Sequence, residues 1–128
     1  MRVFKNKWFV RFARQENISD AELNEAIRRA ERGQIDANLG GDVIKQRIAR
    51  PGEGKSGGYR SIILYRTNDK AFFVYGFAKS QQDNINSDET KEFKKLGKQL
   101  LSYEDKEINR AVKAGVLIEV EYHAQTQS

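Results

Sequence analysis

The spacing of apolar positions changes character along the 128-residue chain. Near the N-terminus Phe4, Trp8, Phe9 and Phe12 fall near one helical face, which predicts a short helix over 5–15 after a brief opening strand. Ser19 and Glu22 form a capping-box pair, and Leu23, Ala26, Ile27 and Ala30 then recur at helical spacing. Gly33 is placed to end that helix. Alternation takes over in the middle. Ile44, Gln46 and Ile48 alternate with Val43, Lys45 and Arg47, as in a strand with one buried face. Two more strand-like runs, 59–66 and 71–79, flank the turn Thr67-Asn68-Asp69-Lys70. Arg60, Ile62, Leu64 and Arg66 share a face of the first run. Phe73, Tyr75 and Phe77 share a face of the second, a stripe that reads as core packing.

Beyond Lys79 the polar stretch Ser80-Gln81-Gln82-Asp83-Asn84 is a connector. Asn86 or Ser87 caps a helix whose apolar stripe is Phe93, Leu96, Leu100 and Leu101. A second helical stretch, 104–114, stops at Gly115, and 116–122 alternates apolar residues with Glu119 and Glu121 as an edge strand. The tail 123–128 is expected to fray. No repeat or internal linker interrupts this order. It predicts one α+β domain over 1–128, a small antiparallel sheet packed against N-terminal helices and a C-terminal helix, with an extension from about 102.

Composition narrows the class. The chain has no cysteine, so disulfides and thiolate metal sites are excluded. It has no apolar run of signal-peptide or membrane-span length, and the expectation is a cytoplasmic protein with no membrane partner. The charge is local. Residues 43–79 hold eight Lys or Arg against two acids, a net of +6, whereas the whole chain is only +5. A basic segment set in a near-neutral remainder points to a polyanionic partner.

The segment Arg50-Pro51-Gly52-Glu53-Gly54-Lys55-Ser56-Gly57-Gly58 concentrates this signal. Its glycines permit close backbone approach to a ligand, and Arg50, Lys55 and Arg60 place cations in and beside it. With Ala49 it nearly spells a nucleotide-binding phosphate loop, but that motif needs a helix N-terminus after the loop. A β-rich run follows here, so ATP or GTP binding is not expected.

Gly41-Asp42-Val43-Ile44, Arg47, the Lys55-Ser56-Gly57-Gly58 segment, Arg60 and Tyr75-Gly76-Phe77-Ala78-Lys79, in that order, resemble the RelE/HigB group of type II toxins. The resemblance covers roughly 1–101 and implies a RelE-like fold, with a toxin that cuts messenger RNA in the ribosomal decoding site. It also implies a cognate antitoxin from a neighbouring gene, a helix-turn-helix protein of HigA type, and no cofactor.

Metal-free RNA cleavage must deprotonate a 2′-hydroxyl, stabilise a phosphorane and protonate the 5′-oxygen. The one histidine, His123, lies in the tail, and no carboxylate cluster suggests a metal site. Lys, Arg and Tyr remain, which are also the residue types on which the RelE pattern relies. Arg60 is the candidate for phosphorane charge and Lys55 for phosphate or proton transfer. Lys79 stands where many family members carry a second arginine, and Tyr103 is a candidate acid or base. Lys45, Arg47, Arg50 and Arg66 are candidates for RNA backbone contact, and Tyr59 or Tyr65 for stacking on a base. Two other readings stand beside this one, a gyrase-poisoning toxin of ParE type and a non-catalytic nucleic-acid-binding regulator.

Overall fold

A computed structural model describes residues 1–50 and 54–125, and the side chains of 50 and 54–57 lie outside the description. Strand β1 (Arg2–Asn6) leads into helices α1 (Lys7–Gln15) and α2 (Asp20–Glu31). Strands β2 (Ala37–Gly40), β3 (Val43–Arg50), β4 (Gly54–Arg66) and β5 (Lys70–Ala78) follow. Helices α3 (Ser87–Leu100) and α4 (Asp105–Lys113) and strand β6 (Leu117–Val120) complete the chain.

The caps read from sequence are in place. Ser19 and Glu22 form a reciprocal capping box on α2, and Gly33, at φ +82°, follows its C-cap. Asn86 caps α3 with Glu89 as its reciprocal partner, so Asn86 takes the role left open between it and Ser87.

Among the described residues the strands form one sheet in the order β2-β3-β4-β5-β1-β6. The α+β class holds, with one departure from a purely antiparallel sheet: β1 runs parallel to β5. Two helices intervene between β1 and the later strands, and this long connection allows the parallel return. Strand β2 was not expected. Its short Ala-Asn-Leu-Gly run gives little alternation to detect, and its burial is only partial. The segment beyond 101 is not an appendage, since β6 pairs with β1 and Ile108 of α4 is fully buried.

The sheet separates two cores. On the α1/α2 side lie Phe9, Leu23, Ile27, Ile44, Ile48, Ile63 and Phe73. On the other side, beneath α3 and α4, lie Phe4, Val43, Ile62, Leu64, Phe72 and Ile108. A bulge on β5 changes which residues share a face, because Ile62 pairs with Tyr75 and Ile63 with Phe73, skipping Val74. Phe73 therefore enters the α1 core while Tyr75 stacks towards Phe77 and Phe93 on the other side. The expected common stripe of Phe73, Tyr75 and Phe77 is corrected, since one inserted residue reverses the alternation.

Candidate RNA-binding face

The site is set by the register of β3, β4 and β5. Arg47 lies directly opposite Arg60, and Arg60 directly opposite Phe77. In an antiparallel pair such residues put their Cβ atoms about 5 Å apart on one face. Two arginines thus share one face side by side, an arrangement of like charges that costs stability. Lys45 is opposite Ile62, one diagonal step from Arg60. Lys79 stands two residues beyond Phe77, and its amide donates to the Gly58 carbonyl at 3.4 Å. It is therefore a diagonal neighbour of Arg60 in the other direction. Lys45, Arg47, Arg60 and Lys79 share one surface, above Ile62 and beside α3.

The reverse face of these positions fixes the strands. Gln46 is fully buried among the α2 core residues, where its amide donates to the carbonyls of Ala26 (3.1 Å) and Gln34 (3.0 Å) and accepts from the Asp36 amide (2.8 Å). Ser61 Oγ donates to the Gln46 carbonyl at 2.9 Å, tying β4 to β3. Beyond Ala37 no strand among the described residues covers the edge of β3, and two side chains take its place. Asp36 accepts from the Arg47 amide at 2.7 Å, and Arg29 donates to the Arg47 carbonyl. Both backbone groups of Arg47 are thereby satisfied. Neither Gln46 nor Asp36 was singled out from sequence. A polar residue at a core-facing position of a strand was the available signal for Gln46.

Arg60 is only 6% exposed. Its Nη1 donates to the Tyr59 carbonyl at 3.4 Å, and among the described residues no carboxylate pairs with it. Burial, and then the charge of Arg47, push its pKa below the ordinary arginine value, while Asp36 pulls the other way. A guanidinium stays protonated under such pressure at neutral pH. Desolvated donors without an internal anion are prepared for an external one.

Other expected site residues are placed elsewhere. Tyr59 is 3% exposed on the opposite face, edge-on to Phe12, with its hydroxyl 3.5 Å from the Glu16 carbonyl. Tyr65 is buried there too and hydrogen-bonds Glu31. Alternation along β4 puts both tyrosines beneath α1 and α2, so neither is available to stack on a base. Arg66 is six residues from Arg60, about 20 Å along the strand. It donates to the Leu101 carbonyl at 3.0 Å and pairs with Asp42 at 3.3 Å. Tyr103 sits at that same far end, where its carbonyl accepts from Lys70 Nζ at 2.6 Å. Arg66 and Tyr103 thus lie apart from Arg60, engaged in contacts between the sheet and the turn after α3. Lys55 and Arg50 were expected at the site, and their side chains lie outside the described residues. His123 lies beside α2, its amide bonded to Asn24 Oδ1.

The recess beside α2, of about 320 Å³, is lined by Glu22, Glu25 and Asp36 as well as Arg29 and Arg47, so three acids there oppose two cations. No helix among the described residues is long and apolar enough to cross a membrane. Nor does a helix follow the glycine segment, since Gly54 already pairs with Arg50 in the β3–β4 hairpin.

Comparison with curated protein sequences finds no match. The family model for the RelE toxin of the RelE/RelB toxin-antitoxin system matches residues 1–120. That span includes every strand of the sheet, β6 among them. The chain therefore belongs to the RelE toxin family, the toxin half of a toxin-antitoxin pair.

Proposed function

We propose that this toxin is a ribosome-dependent endoribonuclease that cuts messenger RNA without a metal ion. The observation that carries this reading is Arg60, buried, opposite Arg47 and without a carboxylate partner among the described residues. The 2′-oxygen attacks phosphorus and gives up its proton to a base. Charge then grows on the non-bridging oxygens of the phosphorane, where the Arg60 fork of donors stabilises it. The bond from phosphorus to the 5′-oxygen breaks, and that oxygen takes a proton. Lys79, Lys55 and Tyr103 are the candidates for these proton transfers, and the place of Tyr103 at the far end of β4 favours the two lysines. Lys45 and Arg47, with Arg50, hold the flanking backbone and do not select sequence. The cognate antitoxin is assigned as a helix-turn-helix protein from an adjacent gene.

Purified protein on programmed 70S ribosomes tests the reading. The wild type is expected to cut messenger RNA within the coding region, and Arg60→Ala to lose the cutting. Full cleavage by Arg60→Ala would remove the role assigned to that residue. Intact messenger RNA together with a DNA-damage response on induction would sink the nuclease reading altogether.

A further inference from the structure

The outer edge of β5 carries an aromatic recess that the cleavage chemistry leaves unused. Strand β1 follows β5 only as far as Phe73, and α1 meets the edge beyond it. Trp8 is 36% exposed there although its ring packs on Phe12 at 5.4 Å and on Tyr75 at 4.5 Å. A recess of about 320 Å³ opens beside it, walled by Trp8, Phe12 and Phe77 and rimmed by Gln15, Glu16, Gln81 and Gln82. Gly76 lets Phe12 form this wall, because a Cβ there would stand 2.5 Å from the Phe12 ring.

The recess is joined to the cationic face. Phe77, one of its walls, is the cross-strand partner of Arg60. Tyr75 Oη donates to Gln82 Oε1 at 3.1 Å, Gln82 Nε2 to the Asn84 carbonyl at 3.0 Å, and Lys45 Nζ to Asn84 Oδ1 at 3.1 Å. The connector therefore runs from the recess across the sheet to Lys45. Helix α1, which supplies Trp8, Phe12 and Gln15 to the recess, also carries the exposed cations Lys7, Arg11 and Arg14, none of which pairs with a carboxylate among the described residues.

We propose that this recess holds an unpaired nucleobase of the RNA strand whose phosphate lies at Arg60. The base stacks against Trp8, and its edge meets the carboxamides of Gln15 and Gln81, each offering a donor and an acceptor. Gln82 is already engaged by Tyr75 and Asn84. An apolar protein segment would suit the rings but would leave the three cations of α1 unexplained. The inference rests on the endoribonuclease reading for the source of the strand.

Trp8 is the single tryptophan of the chain, so its emission reports on the recess directly. The test titrates full-length protein with single-stranded 2′-O-methyl RNA, and with a strand of equal phosphate count that lacks bases. Saturable quenching by the first is expected, with binding of the second about tenfold weaker, the effect of one base–aromatic stack. Trp8→Ala, followed by anisotropy of labelled RNA, should lose about tenfold in affinity, and Trp8→Phe should recover most of it. The exposed Gln81→Ala variant, which carries no folding risk from the core, should alter preference among the four bases. Unchanged Trp8 emission when anisotropy shows saturation, or equal affinity for the baseless strand, would overturn the inference. Quenching without any ribosomal cleavage would support the recess and sink the nuclease reading. Cleavage with a silent Trp8 would do the reverse.

Discussion

The two ends of β4 carry the same kinds of residue on one face of the sheet and use them in opposite ways. At one end Arg66 is bonded to the Leu101 carbonyl and Asp42, and the buried Lys70 donates to the Tyr103 carbonyl. Every cation there closes a contact between the sheet and the turn that joins α3 to α4. At the other end Arg60, Arg47 and Lys79 have no carboxylate partner among the described residues, and Arg60 is the most buried of the three. The number of basic residues is therefore a poor guide to a site. What separates the two ends is the reach of the internal acceptor: Arg66 and Lys70 bond carbonyls of the turn after α3, whereas Arg60 bonds only the carbonyl of its neighbour Tyr59, at 3.4 Å, among the described residues.

Substitutions at the two ends should have opposite signatures. The largest effect is expected from Arg60→Ala, with ribosomal cleavage falling about 10²–10³-fold, as for loss of one preorganised donor to a developing anion. Its midpoint in urea should hold or rise, because the like-charge contact with Arg47 disappears. A loss of folding equal to the loss of cleavage would place Arg60 with the braces.

Lys70→Ala should do the reverse. It leaves the Tyr103 carbonyl without its partner and should lower stability by about 2 kcal/mol in urea unfolding, while the folded fraction keeps its cleavage rate.

The braced end also predicts a pH response. Burial first, and then the hydrogen bond to Glu31, push the Tyr65 pKa up to about 12. A raised folded-state pKa contributes stability that is complete below the unfolded value of about 10 and lost as pH climbs through 12. Wild-type stability should thus drop by roughly 2 kcal/mol between pH 9 and 12, and Tyr65→Phe should flatten that decline. An equally steep fall in Tyr65→Phe would place the alkaline sensitivity elsewhere.

Smaller effects complete the contrast. Arg47→Ala should weaken RNA binding about tenfold and lower the salt slope of binding by about one, as for loss of a phosphate contact. Tyr103→Phe should change cleavage by less than about twofold, since its hydroxyl accepts from Gln99 at 3.1 Å and lies at the braced end. A large loss of cleavage in Tyr103→Phe would place that tyrosine in the proton-transfer chemistry.

Much of the local structure is legible in the sequence. The Ser19–Glu22 and Asn86–Glu89 boxes, the helical spacing of Leu23 to Ala30 and the alternation in 43–48 all reflect contacts close in sequence. The face shared by Arg60, Ile62 and Leu64 was legible for the same reason, as it needs only the two-residue period of an undistorted strand. The stripe of Phe73, Tyr75 and Phe77 failed where that period broke at a bulge, which only the partner strand reveals. Tyr59 and Tyr65 were misjudged because sequence shows that they share a face but not which face α1 and α2 will cover.

By itself the sequence determined the order of helices and strands apart from β2, the concentration of positive charge between residues 43 and 79, and the motif pattern that places the chain among RelE toxins. Those properties depend on residue identity and short-range spacing alone. The tertiary structure decided which cations brace the turn after α3 and which have no carboxylate partner among the described residues, and it set Trp8 beside the strand that carries Phe77. Such distinctions depend on burial and on hydrogen-bond acceptors contributed from distant parts of the chain, and these exist only once the strands have paired.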